Sequence, residues 1–511
     1  MPRTGGLSPR LQNAKADAYI SGLTEGLRLA AGPDHTLSPG LAAQFERLGD
    51  DSRLACVAER LRRGRGTVAV MGGSISAGST YSASWGDASW LYASKILRSM
   101  RVATALAGGN TLPRVRNRAI PATGPEFFDL CFGSMLPPEW PADLVIIEFT
   151  VNIQGDVAAF ERLLRRVLMR GAAVIVLSAK AWATYDARGQ QMMARRGSEM
   201  KCWRLPDKPS EKEADARGAP LQGPTHASGS IRRAWLSSAP NRLGQTWNAT
   251  KGDIGEEDAI AAVCRHYNVP LVSYRAALLG AVRAGNVSFE SFMQDCKHPN
   301  GQGHTYFAQL VLARLFHRPR GSICRAAGST LPVPTLPAAL HKNGHVDEHD
   351  QTALCASGTE LTPLLARPPL GFELTDEGRG KYGLVATRVG AAAELCVWNA
   401  TSGGRPPKLV HVGYLKSYAG GMGRAALSCS GSCACRPVEF DGLDRRRHAS
   451  VAAFESLPLR QIGDAACCSV QVRVLANSST DGHKVKLLSV STTKVSLTLK
   501  RVLSPHGMKV T

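Results

Sequence analysis

Long apolar runs are missing from the sequence. Runs such as residues 144–147 and 172–177 fall far short of the ~20 apolar residues that a membrane-spanning helix needs. We therefore expect no transmembrane segment. Residues 1–30 also contain no apolar core of the kind that a signal peptide requires.

The sequence also lacks zinc-finger spacing and the combined aromatic and basic signature of RNA-binding modules. Lys and Arg total 62 against 41 Asp and Glu, a net charge of +21, but the positive charge is scattered, with only short runs such as residues 445–447. We therefore expect no nucleic-acid partner. An acidic polysaccharide would fit the same charge.

An extreme composition is absent as well. Hydrophobic residues make up 44% and charged residues 20% of the chain, which excludes wholesale disorder and a fibrous repeat. A length of 511 residues exceeds that of an ordinary single domain, so more than one domain is expected.

Cysteine is plentiful. Seven of the 13 cysteines crowd the last third of the chain, which is typical of a disulfide-bonded region: Cys355, Cys396, Cys429, Cys433, Cys435, Cys467 and Cys468. A zinc site is the alternative, but the spacing misses the usual Cys-x2-Cys pairs, so disulfides and no metal are expected. An odd total leaves at least one thiol unpaired if all the others are bridged.

Glycosylation signals, like the disulfide-type cysteines, indicate an oxidising compartment. Asn-x-Ser/Thr triplets occur at Asn248, Asn286, Asn399 and Asn477. With the cysteines they favour the secretory pathway or the cell exterior. Because no signal peptide is visible, either the chain lacks its true start or this location is wrong.

The hydrophobic pattern predicts an α/β fold with a parallel sheet. Apolar runs at residues 67–71, 143–149 and 172–177 are typical of strands that are buried on both faces. Apolar residues from Val157 to Leu168 recur at helical spacing, and Gly171 provides a stop. Strand, helix, strand in this order indicates a crossover connection.

The rest of the chain divides by composition. We predict a helix-prone lead-in, an α/β domain with a flexible basic insertion, a Pro-rich linker, and an all-β sandwich-like C-terminal domain. Their bounds are residues 1–64, 65–316 (insertion 186–252), 317–350 and 351–511.

Three polar constellations follow predicted strands or precede the last helix. Ser74 lies in a Gly-Gly-Ser turn after the first strand, Asn152 follows another strand, and Asp295 and His298 are three residues apart. Each has an ordinary structural explanation: a turn, a strand-end Asn, or a loop capping a helix. Together they would place a nucleophile, an oxyanion-binding amide and a general base at one sheet edge.

These residues resemble the SGNH hydrolases, also called GDSL-like esterases. Residues 72–76 (GGSIS) match the first family block with Gly73 in place of the usual Asp, and residues 150–153 (TVNI) match the third with Ile153 in place of Asp. The last block, Asp-x-x-His-Pro, is complete from Asp295. In the second block, Ala122 stands where the family has its oxyanion glycine, and Gly124 is the nearest alternative.

The resemblance covers about residues 65–316 and implies a flavodoxin-like three-layer domain with a Ser74-His298-Asp295 triad. It implies an oxyanion hole formed by Ser74, Ala122 or Gly124, and Asn152, and an acylated carbohydrate or other ester as substrate, with no cofactor and no metal. More loosely, the cysteine-rich β tail resembles large green-algal proteins with this esterase domain.

The departures at Gly73, Ala122 and Ile153 motivate a second hypothesis. On this hypothesis the chain is a catalytically weak protein of the same fold that binds glycans. The sequence leaves open the acyl group, the glycan, hydrolysis versus transfer, and the oligomeric state.

Overall fold

The computed structural model describes most of the chain. The described residues are 9–31, 49, 51–78, 89–153, 156–179, 194–196, 199–201, 253–283, 286–294, 297–316, 331–346, 352–377, 381–399, 406–418, 420–444, 450–463 and 466–493. Within them, no helix is both long and apolar enough to cross a membrane.

The first part alternates helices and strands. Its helices are α1 (Pro9–Ala31), α2 (Ser52–Arg62), α3 (Ser74–Ala77), α4 (Tyr92–Leu106), α5 (Pro125–Leu130), α6 (Phe132–Met135), α7 (Val157–Met169), α8 (Asp253–His266), α9 (Tyr274–Arg283), α10 (Phe289–Phe292) and α11 (Gly301–Phe316). Its strands are β1 (Thr67–Gly72), β2 (Arg114–Asn117), β3 (Leu144–Glu148), β4 (Ala173–Ser178), β5 (Ala194–Arg196), β6 (Glu199–Lys201) and β7 (Leu271–Ser273).

Five of these strands form a parallel sheet in the order β2-β1-β3-β4-β7. Every residue of β1, β3 and β4 is buried, as their unbroken apolar sequences predict. Beyond β5 and β6, which pair with each other, the predicted insertion at residues 186–252 lies outside the described residues.

Helices cover both faces of the sheet, so this part has three layers. Alternate strand residues enter two different cores because successive side chains point to opposite faces. Val68 and Val70 pack with α1, α2, α4, α9 and α11, whereas Ala69 and Met71 pack with α5 to α8.

Helix α1 lies against α4 through small residues. A Cβ atom added at Gly22 would lie 2.5 Å from the Ala103 Cα, and one at Gly26 would lie 2.5 Å from the Ser99 Cα. Tyr19 and Leu23 of α1 are buried in the core. The close approach therefore brings residues of the predicted lead-in into the packing of the α/β part.

The C-terminal part is a sandwich of antiparallel strands. These are β8 (Thr352–Ser357), β9 (Glu373–Thr375), β10 (Gly383–Ala386), β11 (Ala392–Asn399), β12 (Leu409–Lys416), β13 (Arg424–Gly431), β14 (Cys433–Ala434), β15 (Val438–Asp441), β16 (Val451–Pro458), β17 (Arg460–Gln461), β18 (Cys467–Val474) and β19 (Val485–Thr493), with a 3-10 helix at Gly358–Leu364. One sheet runs β16-β12-β19-β10-β9, with β8 also paired to β19, and the other runs β11-β18-β13-β15.

A single core joins the two sheets. Val412 and Leu487 from the first sheet pack with Val470 and Leu427 from the second. The predicted α/β domain followed by an all-β sandwich-like domain is therefore confirmed.

All seven cysteines of the last third form disulfides, as predicted. The pairs are Cys131–Cys355, Cys396–Cys467, Cys429–Cys435 and Cys433–Cys468. The first pair joins the end of α5 to β8, so it links the two parts covalently across 224 positions. Cys264 is a free, buried thiol.

A segment without helix or strand, residues 331–346, lies along α7 and is fastened there by one buried carboxylate. The Glu161 side chain accepts hydrogen bonds from the backbone N–H groups of Leu340 (2.5 Å) and His341 (2.8 Å) and from the Tyr267 hydroxyl (2.6 Å). Burial alone would raise the pKa of Glu161, but these hydrogen bonds, with one that the His341 ring donates, lower it overall.

We predict that Glu161→Ala lowers the free energy of unfolding by about 4 kcal/mol, because four donors lose their acceptor at ~1 kcal/mol each. Urea unfolding at pH 7 measures the change. The control is Glu59→Ala, whose carboxylate pairs with Arg63 at an exposed position and should cost under ~0.5 kcal/mol. Equal, small losses for both variants would contradict the fastening role.

Candidate active site

Ser74 follows the carboxyl end of β1 and begins the four-residue helix α3, which ends at Gly78 with φ +74°. The turn is tight because glycines precede the serine. A Cβ at Gly73 would lie 2.2 Å from the Asn152 side-chain oxygen. The space that an aspartate would need at position 73 is thus occupied by Asn152.

His298 lies beside Ser74. The distance from Ser74 Oγ to His298 Nε2 is 2.9 Å, which is a hydrogen bond. The loop carrying His298 folds back on itself, since the Gln294 N–H donates to the His298 carbonyl (2.9 Å). Asn300 then caps α11 through its side-chain oxygen. Asp295, the predicted third member, lies outside the described residues.

Asn152 follows β3, the strand adjacent to β1. Its backbone N–H donates to the Phe149 carbonyl (2.8 Å), which turns the chain back over the sheet edge. Its side-chain oxygen is buried and has no partner among the described residues, which also provide no acceptor for its Nδ2 group. The amide therefore lies over Gly73 with its N–H groups uncommitted.

The loop after β2 brings Ala122 and Gly124 to the same edge. Ala122 has φ +63°, in the left-handed region that favours glycine. This conformation gives a physical reason for a glycine at the matching position of the resembled family. A Cβ at Gly124 would lie 2.6 Å from the Asn152 carbonyl oxygen, so this loop packs directly on the Asn152 backbone.

Three backbone N–H groups around the serine are uncommitted. Within the part of the chain that the structure describes, nothing accepts a hydrogen bond from the N–H of Ser74, Ala122 or Gly124. Unsatisfied donors in a mostly buried region are unusual in a folded protein. Such donors could stabilise an oxyanion at this edge.

A buried carboxyl lies beneath the turn. Glu148, the last residue of β3, accepts a hydrogen bond from the Ser76 hydroxyl (3.0 Å), which also contacts the Tyr92 hydroxyl (2.8 Å). Burial raises the pKa of Glu148 to about 7, although the hydrogen bond from Ser76 partly opposes this. Its other oxygen has no partner among the described residues.

Next to this network, His304 is buried and stacks on Tyr92. The Tyr92 backbone N–H points at His304 Nδ1 (3.4 Å), and burial lowers the pKa of His304 to about 3. The ring is therefore neutral and structural. The described residues contain no cluster of metal-ligating side chains.

The structure thus brings Ser74 and His298 into direct contact and places Asn152, Ala122 and Gly124 around them. Sequence reasoning missed Glu148 and Tyr92. A signal for Glu148 exists, because a single glutamate ends an otherwise apolar buried strand (LVIIE). Tyr92 has no comparable signal, since its contact with Ser76 depends on the position of α4.

We predict that Glu148→Gln reduces the pH dependence of stability. The raised pKa means that the folded chain holds this proton more tightly than the unfolded chain, whose reference value is 4.5. The wild type should therefore lose up to about 3 kcal/mol of unfolding free energy from this group as the pH rises from 4.5 to above 7. Glutamine has no such proton to lose.

Urea unfolding of both proteins at pH 5 and pH 8 measures the difference. Glu126, whose pKa burial raises to about 8, contributes in the same direction but is present in both proteins, so its effect cancels. Identical pH dependence in the two proteins would contradict the prediction.

No protein-family model and no curated protein sequence matches the chain. Several solved structures do match the chain. A two-domain esterase (CEX) active on acetylated mannans, co-crystallised with mannopentaose, is 18% identical, with 88% of this chain and 97% of that chain covered and a TM-score of 0.50. The same esterase in a second crystal structure gives 19% identity, the same coverage and a TM-score of 0.49.

A catalytic mutant of Axe2, an acetylxylan esterase from Geobacillus stearothermophilus, covers 50% of this chain and 97% of its own, with 12% identity and a TM-score of 0.30. The likeness to the two-domain esterase extends over both parts of the chain. At these identities it is a likeness of fold alone, of an α/β part with a parallel sheet followed by a β-sandwich part.

Proposed function

We propose that the protein is a serine esterase of the SGNH type that hydrolyses or transfers O-acyl groups, with acetyl on a carbohydrate as the favoured substrate. The observation that carries the proposal is the 2.9 Å contact between Ser74 Oγ and His298 Nε2 at the carboxyl edge of the parallel sheet. A hydroxyl hydrogen-bonded to an imidazole is the arrangement of an activated nucleophile.

In the first half-reaction, Ser74 Oγ attacks the ester carbonyl while His298 takes the hydroxyl proton. The carbonyl oxygen becomes negatively charged. The backbone N–H groups of Ser74 and of Ala122 or Gly124, with the Asn152 amide, would donate hydrogen bonds to it, each worth ~3 kcal/mol. His298 then gives its proton to the departing sugar oxygen, which leaves an acyl-enzyme.

In the second half-reaction, His298 takes a proton from water or from a sugar hydroxyl, whose oxygen attacks the acyl carbonyl. The bond between the acyl carbon and Ser74 Oγ then breaks, and His298 returns the proton to Ser74 Oγ. Water gives hydrolysis and the sugar gives transfer. The family resemblance assigns Asp295 to orienting His298 and stabilising its charged form. No metal or cofactor is required for these steps.

The substrate class is proposed from three supports. The fold is shared with an esterase active on acetylated mannans, the part joined to the α/β core is a β-sandwich, and the net charge of +21 suits an acidic or partly acidic glycan. The disulfides support an oxidising compartment, in the secretory pathway or outside the cell.

Two departures from the family pattern can be reconciled with catalysis. Gly73 is required by the close approach of Asn152, and Ile153 is buried in the core beside Phe149. Neither removes a group that touches the substrate in the proposed mechanism. The alternative, a glycan-binding protein with little turnover, becomes one outcome of the experiments below.

We predict that Ser74→Ala lowers turnover of p-nitrophenyl acetate at least ~10³-fold, because the attacking oxygen is lost. Release of p-nitrophenolate measures it. Ser134→Ala, an exposed serine of α6, is the matched control and should behave as wild type. Equal rates in wild type and Ser74→Ala would refute the esterase. Tight binding of acetylated mannan without acetate release would then favour the glycan-binding alternative.

We also predict that Asn152→Ala lowers kcat by about 10²–10³-fold with little change in KM, because the amide would bind charge that develops only in the transition state. Asn152→Asp keeps the shape but removes the donor and adds a negative charge, so its kcat should fall at least as far. Near wild-type activity in the aspartate variant would exclude a donor role for Asn152.

A further inference from the structure

The edge strand of the C-terminal sandwich touches the loop that carries Ala122. Strand β16 is at the end of its sheet and pairs on one side with β12. On its other side, the Ala452 backbone N–H donates a 2.7 Å hydrogen bond to the Ala122 carbonyl. The β part thus fixes the peptide group that follows Ala122.

This hydrogen bond acts on a strained residue. A left-handed backbone is unfavourable for a residue with a Cβ atom, so Ala122 keeps φ +63° only while its surroundings impose it. Ala122 is also 4% exposed, which leaves it little room to move. The bond from Ala452 is a direct restraint on this conformation.

Two further contacts hold the helix that follows the loop. The Phe454 ring of β16 lies against the Phe127 ring of α5, with centroids 6.5 Å apart. At the end of α5, Cys131 is bonded to Cys355 of β8. The loop and α5 are therefore attached to the β part at residues 122, 127 and 131.

We propose that β16 positions the loop at residues 118–124, which carries Ala122 and Gly124. Ala452 is the positioning residue, and it keeps the N–H groups of Ala122 and Gly124 directed at the reacting carbonyl. The β part then contributes to the active site by holding this loop in place, in addition to any contact that it makes with the glycan. This inference rests on the proposed esterase function.

The test is Ala452→Pro, which removes one N–H. Proline is tolerated on an edge strand where the N–H points away from the sheet, as that of Ala452 does. With p-nitrophenyl acetate, which is too small to depend on glycan binding, kcat should fall at least about tenfold while KM stays within about twofold, because oxyanion donors act in the transition state. Ala452→Gly keeps the N–H and should retain wild-type kcat.

A folded Ala452→Pro variant with wild-type kcat would overturn the inference. If that variant does not fold, Phe454→Ala replaces it, because it loosens the contact with α5 and keeps the Ala452 N–H. The same selective fall in kcat is expected, and an unchanged kcat in Phe454→Ala would then be the overturning result.

Hydrogen–deuterium exchange separates this inference from the proposed function. Losing a hydrogen bond of ~1 kcal/mol should speed amide exchange in residues 118–124 about fivefold in Ala452→Pro relative to Ala452→Gly. This readout requires no turnover. An inactive wild type with faster loop exchange in the proline variant would refute the esterase and support the positioning, whereas unchanged exchange would refute the positioning.

Discussion

The adjacency of β1 and β3 is the constraint on which the candidate site depends. Because the two strands are parallel and Gly72 pairs with Glu148, the chain leaves both strands at one edge, where Ser74 and Asn152 follow within a few residues. The amide of Asn152 then takes the space above Gly73, and the Ala122 loop packs on the Asn152 backbone through Gly124. The position of Asn152 therefore depends on the backbone at Gly73, and the position of the Ala122 loop depends on the backbone at Asn152.

Several polar side chains beneath this edge are buried. Glu148, Ser76 and Tyr92 form a hydrogen-bonded network beneath the serine, and His304 is kept neutral beside it. Their burial excludes water from under the turn, which strengthens the electrostatic interactions of the groups above.

The sequence predicted those features of the fold that depend on the residues of a single helix, strand or short region. Buried strands, the amphipathic helix α7 and the disulfide-rich β region were all predicted, because periodicity and composition depend on local sequence. Strand β2 was missed, since its exposed sequence RVRN carries no apolar pattern and it is held by pairing with β1. The Ser74–His298 contact was predicted through the family resemblance and not from local sequence, because 224 positions separate the two residues. The pairing of Cys131 with Cys355, the attachment of residues 331–346 to Glu161, and the contact of Ala452 with Ala122 depend on how distant parts meet.

The bond between Cys131 and Cys355 also determines how the molecule responds to proteolysis. It closes a covalent ring that contains β3, β4, the basic stretch at 186–252 and the segment along α7. A single cut inside this ring leaves Ser74 and the β-sandwich in one molecule, even though His298 and Ser74 can then belong to different polypeptides. A nicked chain would separate on a gel only after reduction, and the serine and histidine of the candidate site could remain together after the backbone between them is broken.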